Sequence, residues 1–310
     1  MAASHTFYIA FGAVGLLLNI TVALAIHFDK QMKNATYKFM VQLAVADAWL
    51  VLGLLFGPSI ALLAGYDLTA DSVLGKIFAY CNGFGYHGAV LFMVMVAFSR
   101  WVYFAQKQAT EKIFGKPKHK IMCVSIWVFV LAFISPFLYY PNAFSLIPDS
   151  GLYTFSNSTY GYTLQTFDEI VNVLAVFLQV LFNLLSSFWI VKMRKQVLTP
   201  ELQARNKQEL KLFLLCVIDS SVYCLLIALH YYSLYSPPSQ VVGVVLEALF
   251  LLNHVDCALL YLCFNRKLRS SIVIFAKTQV LRATGQVNTS PVSRVGASSG
   301  QRTATNGHVR

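Results

Sequence analysis

The chain has 310 residues, 57% of them hydrophobic and only 12% charged, where a soluble protein carries about a quarter. Its formal net charge is +11, yet 23 of the 24 lysines and arginines fall in four stretches that separate or follow long apolar runs. That distribution excludes a nucleic-acid surface and a soluble globule, and it leaves a polytopic membrane protein built of helices, since backbone polar groups in lipid must bond within their own segment.

In chain order the apolar segments cover 7–28, 37–64, 75–104, 120–141, 167–193, 209–235 and 240–264. Each is long enough to cross a hydrocarbon core of roughly 30 Å. The first lacks a basic leader or a small-residue cleavage site and reads as a retained span, not a signal peptide. Lysines and arginines follow spans one, three, five and seven, and only Lys76 lies at the other set of junctions. The positive-inside rule then places the N-terminus outside and the C-terminus in the cytoplasm. Asn157, in an Asn-Ser-Thr sequon, falls in an outer loop at 142–166 and is a glycosylation candidate, whereas Asn34 falls inside. All six cysteines sit in apolar segments, and Cys263 at the inner membrane edge is a candidate for palmitoylation. After span seven, Phe264, Leu268, Ile272 and Phe275 share one helical face, which predicts an amphipathic helix on the inner leaflet. The chain thus divides into a membrane domain, 1–277, and a polar tail, 278–310, expected to be disordered. No phosphate loop, metal motif or nucleophile elbow is present, so neither an enzyme nor a cofactor is expected.

Polar residues inside spans are costly and mark either functional sites or helix–helix contacts. They are Asn19 in span one, Asp47 in span two, Asp219 in span six, and Glu247, Asn253, His254 and Asp256 in span seven. Asn19 and Asn253 suit helix–helix bonding. Asp47, Asp219 and Asp256 suit a central polar network together with His254. Pro58 and Pro136, in the outer halves of spans two and four, either splay the bundle into a vestibule or end their helices.

These features together resemble a rhodopsin-like G-protein-coupled receptor over residues 7–270. The resemblance is carried by Asn19 in "GLLLNITVALAI", Asp47 in "LAVADAW", Arg100 in "SRW", Trp127 placed 27 residues later, and "CALLYLCFNRKLR" with Tyr261. Ser99 replaces the usual acid before the arginine, span six lacks its Cys-Trp-x-Pro, and Cys257-Ala258 stands for Asn-Pro. "EKIFGKPKHKIMCVSIW" and "LLNHVDCALLYLCFNRKLR" are most similar to nematode serpentine chemoreceptors, the class X group first and class T next.

The resemblance implies a seven-transmembrane all-α bundle in the plasma membrane, with a sensory cilium as its specialised location. It implies a small-molecule ligand outside and a heterotrimeric G protein inside. Asn82 precedes Arg100 by 18 residues, about 27 Å along one helix face, with Tyr86 close to the same line. Asn82, Tyr86 and Glu247, with Tyr231, are the expected ligand contacts, although Tyr231 also suits an interfacial aromatic belt. Asn82 stands where amine receptors carry an acid, so a weakly polar environmental or pheromone-like molecule is expected. Arg100 lacks its neighbouring acid, and Glu209 is the substitute expected to hold it at rest; Tyr261 joins them in coupling. The inner-loop lysines would meet the G protein or anionic lipids. Thr289, Ser290, Ser293, Ser298, Ser299 and Thr303 offer phosphorylation sites for a receptor kinase and arrestin. The alternative is a seven-span channel or transporter relaying ions or protons through Asp47, Asp219 and Asp256, although inverted repeats are absent. A membrane enzyme would need metal-spaced ligands beyond His254 and Asp256.

Overall fold

A computed structural model describes residues 2–29, 32, 34–68, 72–105, 107–139, 144–147, 152–156, 158–194, 200–235, 240–264, 268–273 and 276–277. Its long helices are α1 (Ala2–Phe28), α2 (Ala35–Val51), α4 (Val73–Ala105), α6 (Lys116–Tyr139), α7 (Thr159–Arg194), α8 (Pro200–Tyr235) and α9 (Gln240–Phe264). A π-helical turn at Leu52–Phe56 carries α2 directly into α3 (Gly57–Leu63), and the short α5 (Lys107–Phe114) follows α4. Among the described residues, six helices are long and apolar enough to cross a membrane, counting α2 and α3 as one; α9 adds a further 25-residue helix to the bundle.

The apolar segments read from the sequence become these helices because a run of Leu, Val, Ala and Phe pairs every backbone group internally when helical. α4 is central, packing on α2, α6, α7 and α8, while α1 lies against α2 and α9. The outward faces of α6 and α7 expose Val124, Val128, Phe129, Phe177, Leu184 and Phe188, which suits contact with lipid chains.

Proline explains the break in α2. Pro58 has no N–H for the carbonyl four residues back, and the preceding turn widens so that the Gly57 N–H reaches Leu52 O instead. The widened turn brings the α2 backbone against α4. A Cβ on Gly53 would lie 2.4 Å from Asn82 N, and one on Gly85 would lie 2.2 Å from Leu50 N. Only glycine fits at these two crossings. Pro136 does not end its helix, since α6 continues to Tyr139.

Two boundaries differ from the sequence expectation. The stretch 142–166 is not simply a loop: Phe144–Ile147 and Leu152–Phe155 form an antiparallel hairpin, β1–β2, with Phe144 opposite Phe155. The all-α description therefore holds for the bundle but not for the whole chain. The hairpin packs on α4, α7 and α9 at the end remote from the basic loops. Second, α7 begins at Thr159 and not near 167, because Ser158 caps it by accepting the Gly161 N–H (3.0 Å). Its first two turns, rich in Thr, Tyr and Gly, read as loop by composition.

At the basic end, the Arg269 guanidinium donates to the final α9 carbonyls of Leu262 (3.0 Å) and Cys263. Residues 268–273 are helical, with Leu268 fully buried and Ile272 packed on the core, and Ser271 hydrogen-bonds Asp29 beyond α1. The amphipathic face expected after span seven is therefore turned against the bundle at these positions.

Candidate functional site

Buried polar residues form three groups along the bundle axis. The outer group begins on α7, where Asn172, Gln179, Asn183 and Ser186 are spaced at helical intervals and all buried, while Phe167, Ile170, Leu174 and Phe177 point outward. α7 thus turns a polar stripe towards α4 and α8. Asp168, one turn before Asn172, accepts from Asn172 Nδ2 through Oδ2 (2.9 Å) and faces His87 Nε2 of α4 through Oδ1 (2.8 Å). Asn172 Oδ1 in turn accepts from the hydroxyls of Tyr86 (2.8 Å) and Tyr223 (3.3 Å). The chain His87–Asp168–Asn172–Tyr86/Tyr223 joins α4, α7 and α8 in one hydrogen-bonded unit.

The protons in this group are constrained. His87 Nδ1 lies 2.8 Å from Gly83 O, which can only accept, so Nδ1 carries a proton. Nε2 then meets the Asp168 carboxyl with one proton between them, giving either an ion pair or a neutral pair. Both side chains are shielded, at 5% and 15% exposure, so the electrostatics between them are little screened. Phe133 and Phe250 add aromatic walls, at 4.6 Å from His87 and 5.6 Å from Tyr86 between ring centroids.

The second group is central. Asn19 Nδ2 donates to His254 O (2.9 Å), and His254 Nδ1 lies 2.8 Å from Asp47 Oδ1, with side chains 1% and 3% exposed. One histidine thereby ties α1, α2 and α9. Asp219 of α8 and Asp256 of α9 face one another, with Asp47 nearby. Asn253 is buried beside them on α9.

The third group lies near the basic end. Arg100 is 2% exposed and lies near Cys216 of α8, whose Sγ is 3.2 Å from the Tyr261 hydroxyl of α9. Ser99 Oγ is 2.9 Å from Thr36 Oγ1 of α2. Arg100 is thereby connected with both α8 and α9.

Among the sequence-derived ligand contacts, Tyr86 is at the heart of the outer group and Tyr231 flanks it near Asp168 and Asn172. Asn82 is buried instead at the α2–α4 crossing, against Gly53. The side chains of Glu247 and Glu209 lie outside the described residues, as do Asn157 and the tail sites from Thr289 to Thr303. Asn19, Asp47, Asp219, His254 and Asp256 are brought together as a network. The sequence reading does not single out His87, Asp168, Asn172 or Tyr223; the repeat of Asp168, Asn172, Gln179 and Asn183 on one face of α7 is the signal that would have found Asp168 and Asn172.

The bundle and these three groups define the rhodopsin-like G-protein-coupled receptor fold, and the solved structure of squid rhodopsin superposes with a TM-score of 0.71 over 91% of this chain and 86% of that one, at 16% identity. Residues 9–265 match the family described as serpentine type 7TM GPCR chemoreceptor Srx, and the chain belongs to that family. It is also similar to lysophosphatidic acid receptor 6 of Gallus gallus, 21% identical over 215 residues and 68% of each chain. The protein is a multi-pass membrane receptor and not an enzyme.

Proposed function

We propose that the chain is a seven-span chemosensory receptor of the plasma membrane, with its N-terminus outside, that binds a small ligand in the outer half of the bundle and activates a heterotrimeric G protein. The observation that carries this reading is the hydrogen-bonded unit of His87, Asp168, Asn172, Tyr86 and Tyr223. It joins α4, α7 and α8 at the depth where a ligand from outside arrives, about 20 Å above Arg100. Tyr231 and Glu247 border the same region in this reading, whereas Asn82 supports the α2–α4 crossing behind it.

The ligand class follows from the chemistry. His87 and Asp168 neutralise one another, so the site offers hydrogen bonds and aromatic faces without a net charge to recognise. A weakly polar molecule that competes for the Tyr86 hydroxyl or the Asn172 amide would loosen α7 from α4. At the other end, Arg100, Glu209 and Tyr261 exchange their resting contacts for the G protein, a population shift between two bundle arrangements. A receptor kinase and arrestin acting at the tail would end the signal.

The test is a panel of volatile and pheromone-like molecules applied to cells that report second messengers, with Arg100→Ala as a coupling-dead control. A response lost in Tyr86→Phe and Asn172→Ala at unchanged surface expression supports the assignment. Current carried without any G protein would instead establish the channel reading based on Asp47, Asp219 and Asp256.

A further inference from the structure

A cavity of about 1240 Å³ opens at the basic end, between the exit of α1, the start of α2, and the α5–α6 corner. It belongs to none of the three polar groups. Its lining is divided by chemistry: Ile26, Phe28, Met32, Val41 and Phe114 supply apolar walls, and Lys38, Lys116 and Lys120 supply cations. Two acids also line it, Glu111 and Asp29, the latter hydrogen-bonded by Ser271 of the segment after α9, so three lysines outnumber two carboxylates.

Helix ends reinforce the charge. α2 starts at Ala35 and α6 at Lys116, so two positive helix N-termini reach the same space, and neither first turn contains an acid. The Asn34 side chain caps α2 by accepting the Tyr37 N–H (3.0 Å). The Thr110 hydroxyl also lines the cavity, buried and without a hydrogen-bond partner of its own.

We propose that this cavity binds an anionic phospholipid of the inner leaflet, its phosphorylated headgroup held by Lys38, Lys116 and Lys120 and its glycerol and upper acyl chains lying on Phe28 and Val41. This rests on the orientation given under the proposed function, which puts the basic end in the cytoplasm. A lipid fits better than a free phosphate for two reasons. The volume exceeds that of a drug-sized ligand site, far more than a phosphate needs, and much of the wall is apolar. Basic pockets between helices at the cytoplasmic face meet a negatively charged leaflet at close range. Bound there, the lipid would bridge α2 to the α5–α6 corner, next to the helix that carries Arg100.

The experiment uses the full chain in phosphatidylcholine nanodiscs doped with phosphatidylinositol bisphosphate, with retained lipid read by native mass spectrometry. Lys116→Gln/Lys120→Gln, both exposed positions, should weaken retention roughly tenfold. Lys112→Gln/Lys118→Gln removes the same charge from the same corner outside the cavity and should leave retention unchanged. Val41→Trp, which fills the apolar wall at constant charge, should reduce retention as well and serves if the lysine variant misfolds. Equal loss in the two lysine pairs would overturn the proposal in favour of diffuse surface attraction. Unaltered retention in Lys116→Gln/Lys120→Gln and Val41→Trp would overturn it outright. Displacement by soluble inositol trisphosphate as effectively as by the lipid would make this a free phosphate site. Because the readout is lipid mass in a chosen bilayer, failure of the ligand screen leaves this result standing.

Discussion

His254 and Asp47 are 207 residues apart, yet each is nearly sealed from solvent by the other's helix. A buried carboxylate left alone costs several kcal/mol, so His254→Ala should destabilise the receptor by about 3 kcal/mol. Thermal unfolding in detergent would read this, and Asp47→Asn combined with His254→Ala should recover part of the loss, since no uncompensated charge then remains. Equal or additive losses would show that the two do not act as a pair. Trp127 makes a milder case: its Nε1 donates to Gln42 Oε1 at 2.8 Å, and Trp127→Phe should cost about 1 kcal/mol. At this scale the sequence discloses which residues are costly, because an acid or amide in an apolar run stands out. It does not disclose partners. Asp47 is visible as a liability, but nothing local says that His254, and not Asp219, satisfies it. His87 and Asp168 escape notice for the opposite reason: one lies in a Gly-rich stretch and the other at a span edge, where polar residues are unremarkable.

Elements show the same division between what hydropathy reveals and what it cannot. Spans three and seven are legible almost to the residue, since their apolar runs end in charges or polar turns. The start of α7 is not, because a Ser cap and backbone bonding extend a helix through residues of weak propensity. The β1–β2 hairpin is equally hidden, its alternation being only four residues long on each side. The π turn before Pro58 has a sequence cause, but the glycine that the turn presses against α4 has meaning only once the crossing is known. Gly85→Val tests that crossing. Its side chain would meet the Leu50 backbone, which cannot swing aside, and the loss should be at the upper end of the roughly 1–3 kcal/mol of ordinary overpacking. Poor surface expression, with recovery at lower temperature, is the expected readout.

Across the whole molecule, the outer and inner groups share α4 and α8. Tyr86 and Arg100 stand on the first of these helices, Tyr223 and Cys216 on the second. A ligand that pulls Tyr223 from Tyr86 therefore acts on the same two elements whose inner ends meet at Arg100. Arg100→Ala should abolish G-protein activation while leaving ligand binding within a few-fold, because the coupling end is removed and the outer group is untouched. Glu209→Ala should raise basal signalling in a reporter cell if that acid restrains Arg100 at rest; unchanged basal activity would leave Cys216 and Tyr261 as its principal resting company.

The glycine crossings at Gly53 and Gly85 bear on which parts can move. Where backbones touch, one helix cannot slide along the other without a collision at every residue step, so α2 and α4 behave as a single beam. α7 and α8 meet α4 through side chains instead, and side chains can change rotamer. In the proposed mechanism the receptor therefore works like a caliper, with α2 and α4 as the fixed jaw and α7 and α8 as the jaw that a ligand between Tyr86 and Tyr223 would open.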